Sequence, residues 1–221
     1  MFAQHGPKIA LWANEHPDNM ARVALFAILS AKQPLTRVKA MMDDIDGGEG
    51  DPWLYGWKAS AWEEAWEDRR DRFERMQNIR RTNARRVRKM ADNMLAQVLT
   101  WRGLGLAKGG FFLQMCFGVS GCMDSRNLEL FGMPDRAFRS ATLTYSSLSN
   151  RQKKVRSYHD FIRRLGGTAA LWDIWCKLYA EQRGNDINGL LSAWAVSAHH
   201  CEILGIDPGD PPDEEDIPYD F

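Results

Sequence analysis

The sequence predicts an all-α fold, and three observations carry that expectation. Apolar residues recur at helical spacing, as in Val23, Phe26, Ala27, Ser30 and Ala31, which fall along one stripe of a helix. Glycine and proline clusters cut the chain into helix-sized pieces rather than strand-sized ones. Almost nothing alternates with a period of two; ATLTYSSLS, from Ala141 to Ser149, is the one strand-like piece.

The elements follow in order. Asp18 can cap a helix running to about Asp44, which Gln33-Pro34 breaks in two because proline disfavours the helical conformation in the residue before it. The Gly- and Asp-rich stretch DGGEGDPWLYG is a loop. A helical region follows from about Ser60 to Leu99, with Trp62, Trp66 and Phe73 on one face and expected in the core. An asparagine at Thr82-Asn83 divides it. WRGLGLAKGGFFLQMCFG then reads as a glycine turn feeding an apolar helix, which sets a hairpin over 95–118. A short helix begins near Arg126, 134–150 is irregular, and helices fit 151–165, 167–182 and 186–204. Residues 1–206 form a single domain in this reading. The proline- and acid-rich tail 207–221 stands outside it.

Composition narrows the classes. The chain has 221 residues, 44% of them hydrophobic and 26% charged, an ordinary globular make-up. No apolar run is long enough to span a membrane, and the start has no apolar core behind a basic head, so neither a membrane segment nor a signal peptide is expected. A cytoplasmic protein of a bacterial or phage-infected cell is the expectation. The net charge of zero hides an uneven distribution. From Arg69 to Lys89 there are ten basic residues against two acids, whereas Asp207–Phe221 carries seven acids and no base. A neutral total therefore leaves room for a polyanionic partner at the basic run, which includes Arg85 and Arg86; a solvated helix face is the plain alternative. Cys116, Cys122, Cys176 and Cys201 match no zinc or iron-sulfur spacing. His199 and His200 beside Cys201 point about 100° apart on a helix and have no second ligand cluster, so no metal and no cofactor are expected.

Three motifs carry chemistry. Gly103-Leu104-Gly105 followed by Lys108 fits a turn whose backbone N–H groups hold a phosphate at the N-terminus of the next helix, with Lys108 adding a charged contact. Asp124 ends Gly121-Cys122-Met123 where a helix begins. It can be an N-cap, and an N-cap also fixes the direction of a catalytic carboxylate. Ser125, Arg126 and Asn127 follow it as candidate pocket residues. Lys32 and Gln33 end an apolar helix and can reach into a gap in a DNA stack.

In order along the chain, these motifs resemble the helix-hairpin-helix DNA glycosylase superfamily, which includes endonuclease III and adenine glycosylase. Ile28-Leu29-Ser30-Ala31-Lys32 is similar to the family's L-L-S-A-Q helix end. Thr82-Asn83-Ala84-Arg85-Arg86 stands where the family has an Asn-x-Lys-Ala segment. Trp101–Gly109 resembles L-P-G-V-G-x-K-T-A, and Met123-Asp124-Ser125-Arg126-Asn127-Leu128-Glu129-Leu130 resembles V-D-T-H-V-x-R-V. The likeness covers roughly 20–182. It implies two interleaved helical lobes with a cleft between them, double-stranded DNA as partner, a flipped-out base as target and Asp124 as catalytic carboxylate. The departures matter. Lys32 replaces the gap-filling glutamine. Ala107 falls where bifunctional members keep their imine-forming lysine, and Lys108, one residue later, is expected to point elsewhere. Ser125-Arg126 replaces Thr-His, and the iron-sulfur cysteines are missing.

Two chemistries remain open at this stage. One is monofunctional base excision, with Asp124 stabilising charge on the sugar and directing water. The other resembles the family's phage branch that hypermodifies thymine, joining a free amino acid or amine to an activated 5-methylene; Asn127 and the Gly-Cys-x-Asp approach to Asp124 carry that likeness. A non-catalytic DNA-binding accessory protein, with Asp124 only a structural cap, is the third reading.

Overall fold

The computed structural model describes residues 5–31, 33–47, 56–134, 138, 147–183 and 192–210. Among them the chain is helical without strands, in eleven helices: α1 (Gly6–Ala13), α2 (Pro17–Leu29), α3 (Leu35–Asp46), α4 (Trp57–Glu67), α5 (Arg69–Thr82), α6 (Val87–Val98), α7 (Leu106–Phe117), α8 (Ser125–Leu130), α9 (Leu148–Arg164), α10 (Gly167–Arg183) and α11 (Ala193–Leu204). The strand-like Ala141–Ser146 lies outside the described residues, and so does Lys32.

Two helices are apolar around most of their circumference, and both are buried for that reason. In α2, Val23 to Leu29 are buried without interruption, and α1, α3, α4, α5, α7 and α11 all pack on the helix. In α7, Gly109 to Cys116 are buried, and α1, α2 and α6 surround it. Phe26 of α2 meets Phe111 of α7 edge to face, ring centroids 5.3 Å apart. Burial of one such ring stabilises the fold by roughly 2–3 kcal/mol.

The helix ends have local causes. Pro17 sets the start of α2, and His16 is its N-cap, Nδ1 accepting from the Asp18 N–H at 3.2 Å. Asp18 is therefore not the cap expected from the sequence. It lies in the first turn, where the helix dipole favours a carboxylate, and it binds Arg69 at 2.5 Å. Proline at 34 does separate α2 from α3, and the turn at Asn83 does separate α5 from α6. Trp66 is corrected from core to surface: it is 40% exposed and stacks under the Arg69 guanidinium, while Trp62 and Phe73 are half-buried against the core. α1 lies ahead of the first helix expected from the sequence; α11 runs Ala193–Leu204, and 186–191 of the last expected helix lie outside the described residues.

Two packed helices, α6 and α7, are joined by a turn through 99–105. Its two glycines are not equivalent. Gly103 has φ +82°, and a Cβ there would sit 2.9 Å from Ala61 Cβ and 3.2 Å from the Trp57 ring. Gly105 has φ −77° and ψ −173°, extended backbone that any residue adopts. The conformational demand for glycine therefore falls on Gly103 alone.

Candidate active site

The loop after α7 carries the site, and its course is fixed from several sides. Gly118, at φ +62°, ends α7, and the Val119 N–H donates back to Leu113 O. Gly110 lets the loop lie against α7; a Cβ on it would stand 2.1 Å from Gly121 O. The buried Tyr158 hydroxyl donates to Gly121 O at 2.6 Å and accepts from the Met123 N–H at 3.0 Å. Burial holds this phenol well above its usual titration range, so it remains a donor. The Asn127 carboxamide donates to Cys122 O at 2.5 Å. Asp124 then caps α8, its Oδ1 accepting from the Asn127 N–H at 3.1 Å.

Asp124 borders a small cavity of about 50 Å³ that opens to solvent. Each wall comes from a different element. Lys108, Phe111 and Gln114 line one side, spaced by three residues on a single face of α7. Leu171, Trp172, Trp175 and Tyr179 form another, a stripe along α10. Ser30, Gln33 and Leu35 close it at the junction of α2 and α3, and Cys122 and Asn127 flank Asp124. The space is thus walled by flat rings, with a carboxylate, an ammonium and carboxamides at its edges.

Lys108 is the main correction to the sequence reading. It does not reach outward to a phosphate, nor does it point away from Asp124's surroundings. Its Nζ donates to Ser30 Oγ at 3.1 Å and to Ser30 O at 3.3 Å, and lies 5.7 Å from the Phe111 ring centroid on the cavity wall. The cause is helix phase. Gly105 is the N-cap of α7, so the third helical residue shares the inward face of Phe111 and Gln114. Lys58 takes up the neighbouring carbonyls, donating to Leu29 O at 3.2 Å and Ala31 O at 3.4 Å, so two lysines cover the negative end of α2. Burial, then the charges of Lys108 and Arg37, lower the titration range of Lys58.

Cys122 borders the cavity beside Asp124. Burial and the adjacent Asp124 carboxylate push its thiol up to about 12, so it stays protonated. Behind the α10 wall, His200 is fully buried among Phe26, Phe111, Trp172 and Trp175, with Nδ1 bonded to Val196 O at 2.7 Å. Burial drives its titration down to about 3, which keeps it neutral. His199 bonds Glu202 at 2.8 Å, and no group of three metal-ligating side chains occurs among the described residues.

The other expected site residues divide. Gln33 lies on the cavity wall rather than at an outer wedge. Asn127 is buried as a clamp on the loop, Ser125 is exposed beside it, and the Arg126 side chain lies outside the described residues. Arg85 and Arg86 are exposed at the turn before α6. Together with Arg81, Arg88 and Lys89, and with Gln152 and Arg156 of α9, they line two adjoining grooves that share Arg86 and Lys89. Arg69 and Arg72 do not belong to this strip. Arg69 is held by Asp18, and Arg72 is buried, bonded to Glu64 at 2.5 Å and stacked over Trp101.

Sequence reasoning missed Trp172, Trp175 and Tyr179, although their spacing of three and four on α10 was a readable signal. It also missed the α9 side of the basic strip. No protein-family model, curated protein or solved structure matches this chain.

Proposed function

We propose that this protein is a DNA-binding enzyme that receives a single flipped-out base in the cavity beside Asp124 and acts on it there. The observation that carries this reading is the lining of the cavity: Asp124 and Lys108 stand at its border together with the rings of Phe111, Trp172, Trp175 and Tyr179. The exposed cations at the start of α6 and on α9 supply the phosphate contacts that such an enzyme needs. The hairpin and the cleft of a glycosylase-like arrangement belong to the same proposal.

Asp124 is the catalytic carboxylate in it. Its Oδ1 accepts one N–H at the start of α8, which fixes the direction of the group. In base excision it stabilises positive charge on the sugar and directs the attacking water. In transfer to a thymine 5-methylene that carries an activated leaving group, it takes the proton of the attacking amine as the C–N bond forms and the leaving group departs from the methylene carbon. Lys108 changes one expectation: with a lysine on the cavity wall, imine chemistry at the sugar becomes a third outcome to test rather than one excluded by Ala107.

The products separate these chemistries. Incubation with damaged duplexes, and with activated phage-type DNA plus amino acids, is followed by digestion and weighing of the nucleosides. Excision gives alkali-labile abasic sites, transfer gives a heavier thymine-derived nucleoside, and a borohydride-trapped adduct lost in Lys108→Ala marks the imine. If none forms with any substrate, the enzyme reading fails. The cap hydrogen bond of Asp124 then stands as its whole role, in a DNA-binding accessory protein.

A further inference from the structure

Asp92 of α6, His159 of α9 and Ser120 of the loop after α7 form a hydrogen-bonded chain that the proposed chemistry does not use. His159 Nδ1 lies 2.7 Å from Asp92 Oδ1, and its Nε2 lies 2.9 Å from Ser120 Oγ. The carboxylate accepts the Nδ1–H hydrogen bond, and Nε2 is paired with the Ser120 hydroxyl, which can act as donor or acceptor to it. The order of groups matches a nucleophilic triad, but Ser120 is 4% exposed and His159 likewise 4%, and neither lines the cavity. The hydroxyl has no room for a substrate, so the chain has a different use.

Its inner end shows what that use is. Ser120 is the one residue other than glycine with positive φ among the described residues, at +69°. A side chain in that conformation persists only where its surroundings hold it, and here the hydroxyl is tied to His159. The preceding residue on α9, Tyr158, donates to Gly121 O and accepts from the Met123 N–H. One turn of α9 thus holds the loop at Ser120, Gly121 and Met123, and Asp124 follows immediately. At the outer end Asp92 lies on the floor of the groove lined by Arg88, Lys89 and Arg156, with its charge directed inward to the imidazole.

We propose that His159 is a positioning residue for Asp124: tethered by Asp92, it holds Ser120 in the left-handed conformation from which the loop aims the carboxylate at the cavity. The catalytic part of this inference rests on the reading of Asp124 given above; the geometric part does not.

The test uses the full chain and two readouts. The first is hydrogen exchange of the Asn127 amide, which donates to Asp124 Oδ1 and so reports where that carboxylate is held. In His159→Leu this amide should exchange at least about tenfold faster while amides in the middle of α2 keep their protection. His159→Gln, which can present a polar atom to Ser120 in place of Nε2, should restore most of the protection. If His159→Leu does not fold, Ser120→Gly replaces it, since glycine removes the hydroxyl and accepts the positive φ without strain. The second readout is turnover. kcat should fall by at least about tenfold in His159→Leu with KM for DNA within about twofold, and recover in His159→Gln. An unchanged Asn127 amide in the folded Leu or Gly variant overturns the proposal, as does a Gln variant no better than Leu. If instead Asp124→Asn leaves turnover intact, the function proposed above falls, while the amide result still decides the role of His159.

Discussion

The basic strip and the cavity are built by opposite means. The strip draws most of its charge from one exposed run, Arg81 to Lys89, and needs only a helix start and a turn to display it. Arg85, Arg86, Lys89 and Arg156 have no salt bridge among the described residues, so their field acts outward. The cavity assembles side chains from α2, α7, the loop before α8 and α10, with its polar groups held by named partners. A surface of the first kind gives affinity that is additive and screened by salt. A site of the second kind gives turnover that one substitution can remove. The two should therefore be separable by mutation.

The largest effect should come from the cavity. Asp124→Asn keeps the shape and a capping oxygen but removes the charge, so turnover should fall at least about a hundredfold while DNA affinity stays within about twofold. Equal losses in rate and affinity would mean that cavity and strip are not independent. At the strip, reversing Arg85, Arg86 and Arg156 to Glu should weaken duplex binding by at least about tenfold and flatten the plot of log affinity against log salt by about three units, with kcat at saturating DNA preserved. Arg156 is the informative member because it tests the α9 wall; unchanged affinity in Arg156→Glu alone would confine DNA to the turn before α6.

The hairpin gives a sharper contrast within one turn. Gly103→Ala combines an unfavourable φ of +82° with a contact 2.9 Å from Ala61 Cβ, and should cost about 1–3 kcal/mol in denaturant unfolding. Gly105→Ala, at an extended N-cap, should change stability by less than about 1 kcal/mol. If its DNA affinity nevertheless falls, the N–H groups at the start of α7 contact phosphate, and the hairpin joins the strip as part of the DNA surface.

The sequence showed some of this and hid the rest for physical reasons. Charge runs and proline breaks are local, so the basic run from Arg69 to Lys89 and the boundary at Pro34 could be read directly, whereas the pairing that takes Arg69 and Arg72 out of the strip could not. Asp124 was legible as an N-cap because it stands where an irregular stretch gives way to a helical run. The direction of Lys108 was not: its spacing sets it on one face with Phe111 and Gln114, but which face of the largely apolar α7 borders the cavity depends on the packing of α2 and α10. The chain from Asp92 through His159 to Ser120 joins residues far apart in sequence, and no spacing announces it. Trp66 looked like core for want of any sign that Arg69 would cover it from the solvent side.

The central claim is that the cavity receives a base of DNA, and photocrosslinking tests it most directly. A duplex carrying 5-iodouracil at one mismatched position is bound to the full chain, irradiated, and digested for peptide mapping. The account predicts crosslinks to the ring-bearing stripe of α10, at Trp172, Trp175 or Tyr179, which disappear when a bulky residue fills the cavity in Ser30→Trp while duplex affinity persists. Crosslinks confined to residues outside the cavity, or an α10 signal that survives the filled cavity, would contradict it.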